Sequence, residues 1–154
     1  MKKIFLFMLL ILLISCAPPL DIDKSIANGL IQSSEDLKKQ ATNNELEVIR
    51  IAKEDFTFEK AEEAKEKLTI AVDFYRQSLA KNEEAISLIK DEELLKLRKF
   101  MSSKTAKTIE CNEYSLDLLN EVLAHGEMTL TPEINNTMAK VDVCEEERIQ
   151  LISP

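Results

Sequence analysis

Mostly apolar residues recur at alternating intervals of four and three along the middle of the chain. The positions are Ala61, Lys65, Leu68, Val72, Tyr75, Leu79, Asn82, Ile86 and Ile89, and Ala64, Ala71, Phe74 and Leu88 lie beside them. A 3.5-residue period keeps one face of a helix against a partner, and the added apolar residues widen that face as a bundle core requires. The pattern predicts a long helix over residues 58–90.

A second helical face follows directly. Asp91-Glu92-Glu93 is typical of a helix start, because an N-cap residue precedes acids in the first turn. The apolar face then continues through Leu94, Leu97, Met101, Thr105, Ile109, Asn112, Leu116, Leu119 and Leu123. We favour a helical hairpin, but neither Gly nor Pro marks a turn, so one continuous helix over 58–124 is the alternative. His125-Gly126 predicts the end of the helix, since Gly accepts the left-handed conformation found there.

Shorter patterns flank this hairpin. From Asp23 onward, Ile26, Leu30, Leu37 and Ala41 fall on one helical face, with Asp21 or Asp23 as the N-cap. The run Thr42-Asn43-Asn44 either caps a further short helix or bends the first. Thr131-Pro132 indicates a final helix from Glu133 to about Leu151. The predicted fold is all-α, a small helical bundle built on a long antiparallel helical hairpin plus a C-terminal helix, within residues 23–154.

Composition narrows the function classes. The 154 residues include two glycines, too few for a Gly-rich phosphate loop or a turn-dense β-sandwich. Without residues 1–15 the chain has 18 basic and 28 acidic groups, a net charge of −10. Nucleic acid and anionic headgroups repel so acidic a body, and we expect no nucleic-acid partner.

The first residues have the pattern of an export signal. Met1-Lys2-Lys3 is basic, and the apolar run from Ile4 to Ile14 has the length of a signal-peptide core. The run that ends at Cys16 is too short for a transmembrane helix, which needs about 20 apolar residues. We predict that residues 1–15 are a signal peptide. An ordinary cleavage site would use Ser15 and Ala17, but cleavage there tolerates the following Pro18 poorly.

The run Leu13-Ile14-Ser15-Cys16 resembles the lipobox of bacterial lipoproteins, whose Cys is lipidated and becomes the first mature residue. The resemblance implies two or three acyl chains on Cys16, enough for stable anchoring at about 0.8 kcal/mol per buried CH₂. A generic signal with an incidental Cys16 is the alternative. Residues 16–22 contain two prolines and predict a short tether. The resemblance implies the cell envelope, and Ala17 favours the outer membrane in a bacterium that has one.

Two cysteines then remain for a disulfide. The predicted loop 124–131 is centred near residue 128, with Cys111 17 residues before the centre and Cys144 16 residues after it. Such residues lie at the same height on antiparallel helices, and disulfides persist in exported proteins. We expect a Cys111–Cys144 bridge. Two buried free thiols and a metal pair are the alternatives, and the metal pair lacks further His or Cys nearby.

Candidate chemistry is sparse. His125 is the single histidine, and Val122 stands where a di-iron Glu-x-x-His motif needs a carboxylate. No Gly-flanked Ser resembles a nucleophile elbow, and most carboxylates alternate with lysines as on a solvated helix face. We read His125 as a helix-terminating residue and expect no catalytic, cofactor or metal site.

These patterns favour a membrane-anchored protein-binding module. Phe56 and Phe58 are candidate partner contacts or, alternatively, plugs of the bundle end. The alternatives in function are a small inhibitor or immunity/exclusion-type lipoprotein, an envelope enzyme acting on peptidoglycan or lipid, and a structural spacer. A binder is expected to leave an apolar stripe uncovered on the 58–90 helix, whereas an enzyme would bring His125 and carboxylates into one cleft.

Overall fold

The computed structural model describes residues 22–53, 57–126 and 130–151. Within these ranges the chain forms four helices and no strand. They are α1 (Ile22–Ala52), α2 (Phe58–Ile86), α3 (Glu92–His125) and α4 (Pro132–Gln150). The predicted small all-α bundle is therefore confirmed.

Helix α1 is continuous through Thr42-Asn43-Asn44, the run whose sequence allowed either a bend or the start of a further helix. The Thr42 hydroxyl donates to the Lys38 carbonyl at 3.0 Å, and the Asn44 amide donates to the Gln40 carbonyl at 3.0 Å. Both side chains therefore bond to the preceding turn of the same helix instead of capping a new one. Asp23 lies in the first turn of α1, while Asp21 lies outside the described residues.

The long hairpin is confirmed, and the continuous helix over 58–124 is wrong. Helix α2 ends at Ile86 and α3 begins at Glu92. Asp91 has extended backbone angles, and its carboxylate accepts a hydrogen bond from the Leu94 N–H at 2.8 Å. This N-cap defines the turn without a Gly or Pro, because the side chain satisfies an N–H that the first helical turn leaves unpaired.

The predicted boundaries around the last loop also hold. Gly126 follows α3 with a φ of 66°, in the left-handed region that favours glycine. The Thr131 hydroxyl accepts from the Ile134 N–H at 3.2 Å, and Pro132 occupies the start of α4. These local signals place α4 where the sequence predicts it.

Helix α2 lies between α1 and α3, and α4 packs against α3. At one end of the bundle, called the proximal end, α1 begins beside the α2–α3 turn, where Lys90 pairs with Asp23 at 3.0 Å. The opposite, distal end contains the end of α1 and the loop before α4. Helix α4 has 19 residues against 34 in α3, so it covers the distal part of α3 and stops near Lys107.

The core is built largely from small side chains. Six buried alanines lie on α1 and α2, at positions 27, 41, 61, 64, 71 and 85. Alanine lets helix backbones approach closely, and the polar pair Ser34 and Ser78 uses that approach. Each of these hydroxyls donates to the backbone carbonyl of the other residue at 2.8 Å. The pair thereby fixes the register of α1 against α2.

The predicted heptad stripe of α2 forms much of this core. Ala61, Leu68, Val72, Tyr75 and Asn82 are buried, and Val72 and Tyr75 pack in one cluster with Ala41 of α1 and Ile109 of α3. None of the helices in the described ranges combines the length and the apolar character that a membrane span requires.

Candidate functional site

The two remaining cysteines meet in the α3–α4 interface. Cys111 and Cys144 are fully buried, and their Cα atoms are 5.4 Å apart, within the range for a disulfide. The predicted juxtaposition is confirmed. Its physical reason is the one the sequence suggests, since the residues are nearly equidistant from the turn between antiparallel helices.

Sequence reasoning missed a polar network that joins three helices. The Tyr75 hydroxyl of α2 donates to the Glu45 carboxylate of α1 at 2.8 Å and lies 3.1 Å from the Thr42 hydroxyl. The other Glu45 oxygen accepts from the Arg148 guanidinium of α4 at 3.1 Å, and Arg148 also pairs with Glu145 at 2.7 Å. The spacing of these residues along the chain contains no signal for the network.

Burial of its hydroxyl raises the pKa of Tyr75 to about 12, and the neighbouring Glu45 carboxylate acts in the same direction. The Thr42 hydroxyl and the Arg148 charge oppose the rise. Tyr75 therefore keeps its proton near neutral pH. It acts there as a hydrogen-bond donor to Glu45, which is a structural role.

The other predicted site residues lie apart. His125 is exposed at the last position of α3, and no hydrogen bond or ion pair joins it to another described residue. Phe58 is 40% exposed at the first position of α2. Cys16, the lipobox-like run and Phe56 lie outside the described residues. Within the described ranges, no three His, Cys, Asp or Glu side chains are grouped so that they could hold a metal ion.

A shallow groove of about 390 Å³ runs between α3 and α4 above the cysteine pair. Lys107 and Glu110 of α3 and Val143 and Glu147 of α4 line it. Hydrogen bonds to Glu147 and then to Glu110 raise the pKa of Lys107, so its charge is held across the groove. The ion pair between Lys107 and Glu147 places charged groups across the groove, and the apolar Val143 is exposed at its edge.

The expected apolar stripe on the 58–90 helix is not exposed, and that prediction is wrong. Helix α2 packs between α1 and α3, and Phe58 is the one exposed large apolar side chain among its described residues. Exposed apolar side chains lie instead on α1, α3 and α4. We call four of them the distal surface, and all are between 41% and 59% exposed: Leu46 and Ile49 of α1 with Met138 and Ile149 of α4.

Comparison with known proteins adds no family. No protein-family model matches the chain, and neither a curated protein nor a solved structure matches it. Evidence on function therefore comes from the N-terminal sequence pattern and from the surfaces of the bundle.

Proposed function

We propose that this protein is a membrane-anchored lipoprotein of the bacterial cell envelope and that its helical bundle binds another protein. The lipobox-like run Leu13-Ile14-Ser15-Cys16 supports the anchor. The exposure of the distal surface is the observation that carries the binding role. It places apolar area on the part of the bundle farthest from the predicted tether.

Helix geometry relates the residues of the distal surface in two pairs. Leu46 and Ile49 are three residues apart on α1, and Met138 and Ile149 are eleven residues, or about three turns, apart on α4. Each pair therefore lies on one side of its helix. These side chains are about half exposed, so a partner that covers one gains roughly half of the 1.5–3 kcal/mol expected for a fully exposed side chain.

One ion pair connects the two helices that carry this surface. Glu45 and Arg148 bridge α1 and α4, and the apolar residues Leu46 and Ile149 directly follow them in sequence. The bridge thus fixes the positions of Leu46 and Ile149 relative to each other. Met and Arg, the residue types of Met138 and Arg148, are enriched in the faces through which proteins recognise one another.

Site-specific photo-cross-linking in intact cells tests this proposal. A photoreactive residue at Leu46 or Ile149 is expected to form an adduct with a discrete protein. The same residue at Gln77, an exposed position of α2, is the matched control and is expected to form none. Adducts of equal yield at all three positions, or none at Leu46 and Ile149, would contradict the binding role.

The adduct also separates the kinds of partner. A component of envelope assembly, a host surface molecule and the target of an immunity or exclusion inhibitor differ in identity once the adduct is sequenced. Repeating the experiment with Cys16→Ser measures whether the contact requires the anchor. We expect the adduct to decrease, because tethering raises the local concentration of both proteins at one membrane.

A further inference from the structure

The face of α3 that packs against α4 continues beyond the end of α4. Leu97, Phe100, Lys104, Lys107 and Cys111 follow one another at intervals of three and four residues and share one side of the helix. Lys107 and Cys111 contact α4 through Glu147 and Cys144. Leu97 and Phe100 lie nearer the proximal end than that contact, and they are 51% and 46% exposed.

This continuation is basic in an otherwise acidic protein. Between Leu94 and Ile109 the sequence has five basic residues and no acid. Two of them are turned to other helices: Arg98 is 15% exposed and pairs with Glu35 at 2.8 Å, and Lys107 pairs with Glu110 and Glu147. Lys96 and Lys104 are each four residues from Phe100 and lie on its side of the helix. We call Lys96, Leu97, Phe100 and Lys104 the α3 stripe.

Contacts within the α3 stripe keep its charges close to its apolar side chains. The Lys104 ammonium lies 5.5 Å from the centre of the Phe100 ring, within range of a cation–π contact. Lys96 pairs with Glu93 at 3.1 Å, but both side chains are more than two-thirds exposed, so the pair is weak.

The α3 stripe lies at the proximal end, where the predicted tether enters. Phe100 is eight residues into α3, about 12 Å along the helix from the end that adjoins the start of α1. The six residues from Cys16 to Ile22 span at most about 20 Å. A membrane that holds Cys16 is therefore within reach of the stripe.

We propose that the α3 stripe lies against the anionic phospholipid headgroups of the membrane that holds the Cys16 anchor, with Phe100 and Leu97 inserted at the interface. This inference rests on the anchor in the proposed function. Exposed Phe and Leu between lysines are the residues that interfacial helices use, since the rings enter the acyl boundary and the ammonium groups remain among the phosphates. The acidic remainder is repelled by the same headgroups, so the stripe determines which side of the bundle faces the lipid.

An acidic protein helix is the competing occupant, because it could extend the α4 packing along α3. The position of the stripe favours lipid. A partner helix would have to enter between the bundle and a membrane no more than the tether length away. The distal surface, by contrast, is open to proteins without that restriction.

Tryptophan fluorescence tests the proposal directly, because the chain has no Trp. Residues 22–151 contain all four described helices, so the mature chain 16–154 retains the described fold. With Cys111 and Cys144 bridged, Cys16 is the remaining thiol and is coupled to a maleimide phospholipid. Phe100→Trp is the probe, and Phe58→Trp, an equally exposed Phe at the distal end, is the matched control.

On vesicles of phosphatidylglycerol with brominated acyl chains, the emission of Phe100→Trp is expected to be quenched and blue-shifted, and that of Phe58→Trp unchanged. On brominated phosphatidylcholine the quenching at position 100 is expected to fall. Adding Lys104→Glu should lower the population in contact by at least about fivefold, from the attraction of each basic group to an anionic surface. Lys140→Glu, the same charge change on α4, should leave that population unaltered.

Unquenched Phe100→Trp on phosphatidylglycerol, equal quenching at both positions, or equal quenching on both lipids would overturn the proposal. Because the anchor in this experiment is chemical, a chain that is not lipidated in cells would contradict the proposed function and leave this result valid. Conversely, a protein that is lipidated in cells but shows no quenching at position 100 would support the anchor and contradict the contact between the α3 stripe and lipid.

Discussion

Arg148, three residues before the last described residue, forms an ion pair with Glu45 in the first helix, with its guanidinium nitrogen 3.1 Å from the carboxylate. The backbones of α1 and α4 do not come into contact. The Glu45–Arg148 ion pair links these two helices through their side chains. Both side chains are less than one-third exposed. The bridge also orients the carboxylate that accepts the hydrogen bond from the Tyr75 hydroxyl.

Arg148→Ala is expected to destabilise the bundle by about 1–2 kcal/mol, because it leaves a partly buried Glu45 carboxylate with one charged partner fewer. Lys81→Ala is the control, since the Lys81–Glu84 pair is half exposed and contributes at most about 0.5 kcal/mol. Urea unfolding at neutral pH measures both variants. Equal losses would show that the interhelical bridge is no stronger than a surface pair.

Alkaline pH should expose the role of Tyr75. Its pKa is about 12 in the folded chain against 10 in the unfolded chain, so its contribution is fully present below pH 10 and is lost as pH rises toward 12. The shift corresponds to about 2–3 kcal/mol. Tyrosinate absorbance of Tyr114→Phe, in which Tyr75 is the remaining tyrosine, follows its titration.

The matched stability measurement uses Tyr75→Phe across the same pH window. This variant should lose less stability between pH 10 and 12 than the wild type does, because it has no phenol to ionise there. Parallel stability curves for the two proteins would argue against the raised pKa.

The two glycines should respond oppositely to alanine. No atom lies within 4 Å of a Cβ built at either position, so backbone conformation decides the outcome. Gly29 is inside α1, where Ala is more stable by roughly 0.5–1 kcal/mol. Gly126 has a φ of 66°, where a Cβ costs about 1–2 kcal/mol. Thermal unfolding of Gly29→Ala and Gly126→Ala measures the signs, and shifts in one direction would contradict this account.

The Cys111–Cys144 bridge is expected to form under the oxidising conditions of the proposed location and to contribute about 3–4 kcal/mol for the loop it closes. Mass spectrometry of an unreduced digest should yield the linked peptides. The double variant Cys111→Ala with Cys144→Ala should unfold at correspondingly lower denaturant. Alkylation of both thiols without a reductant would show that the bridge is absent.

Lipidation at Cys16 is tested by metabolic labelling with palmitate. The wild type should be labelled, and Cys16→Ser should not, because the thioether needs the Cys sulfur. Cys111→Ala is the control that removes a different thiol and should retain the label. A labelled Cys16→Ser protein, or a soluble product with another N-terminus, would contradict the anchor.

The sequence by itself determined the all-α class and three of the helix ends. Asp91, Thr131 and Gly126 act on atoms within a few residues of themselves, so capping patterns locate these boundaries without knowledge of the fold. The placement of Cys111 opposite Cys144 is also local in this sense. It follows from equal distances to one turn between antiparallel helices.

Only the tertiary structure decided which faces are covered. Periodicity predicted the apolar stripe of α2, and we expected part of it to stay uncovered. Helices α1 and α3 enclose α2, so the exposed apolar residues lie on α1, α3 and α4 instead. The α3 stripe is exposed because α4 is shorter than its partner. The bond between Tyr75 and Glu45 and the pair between Glu45 and Arg148 join residues 30 and 103 positions apart. Periodicity describes how a helix presents its own side chains, whereas coverage and long-range pairing depend on how separate helices come together in space.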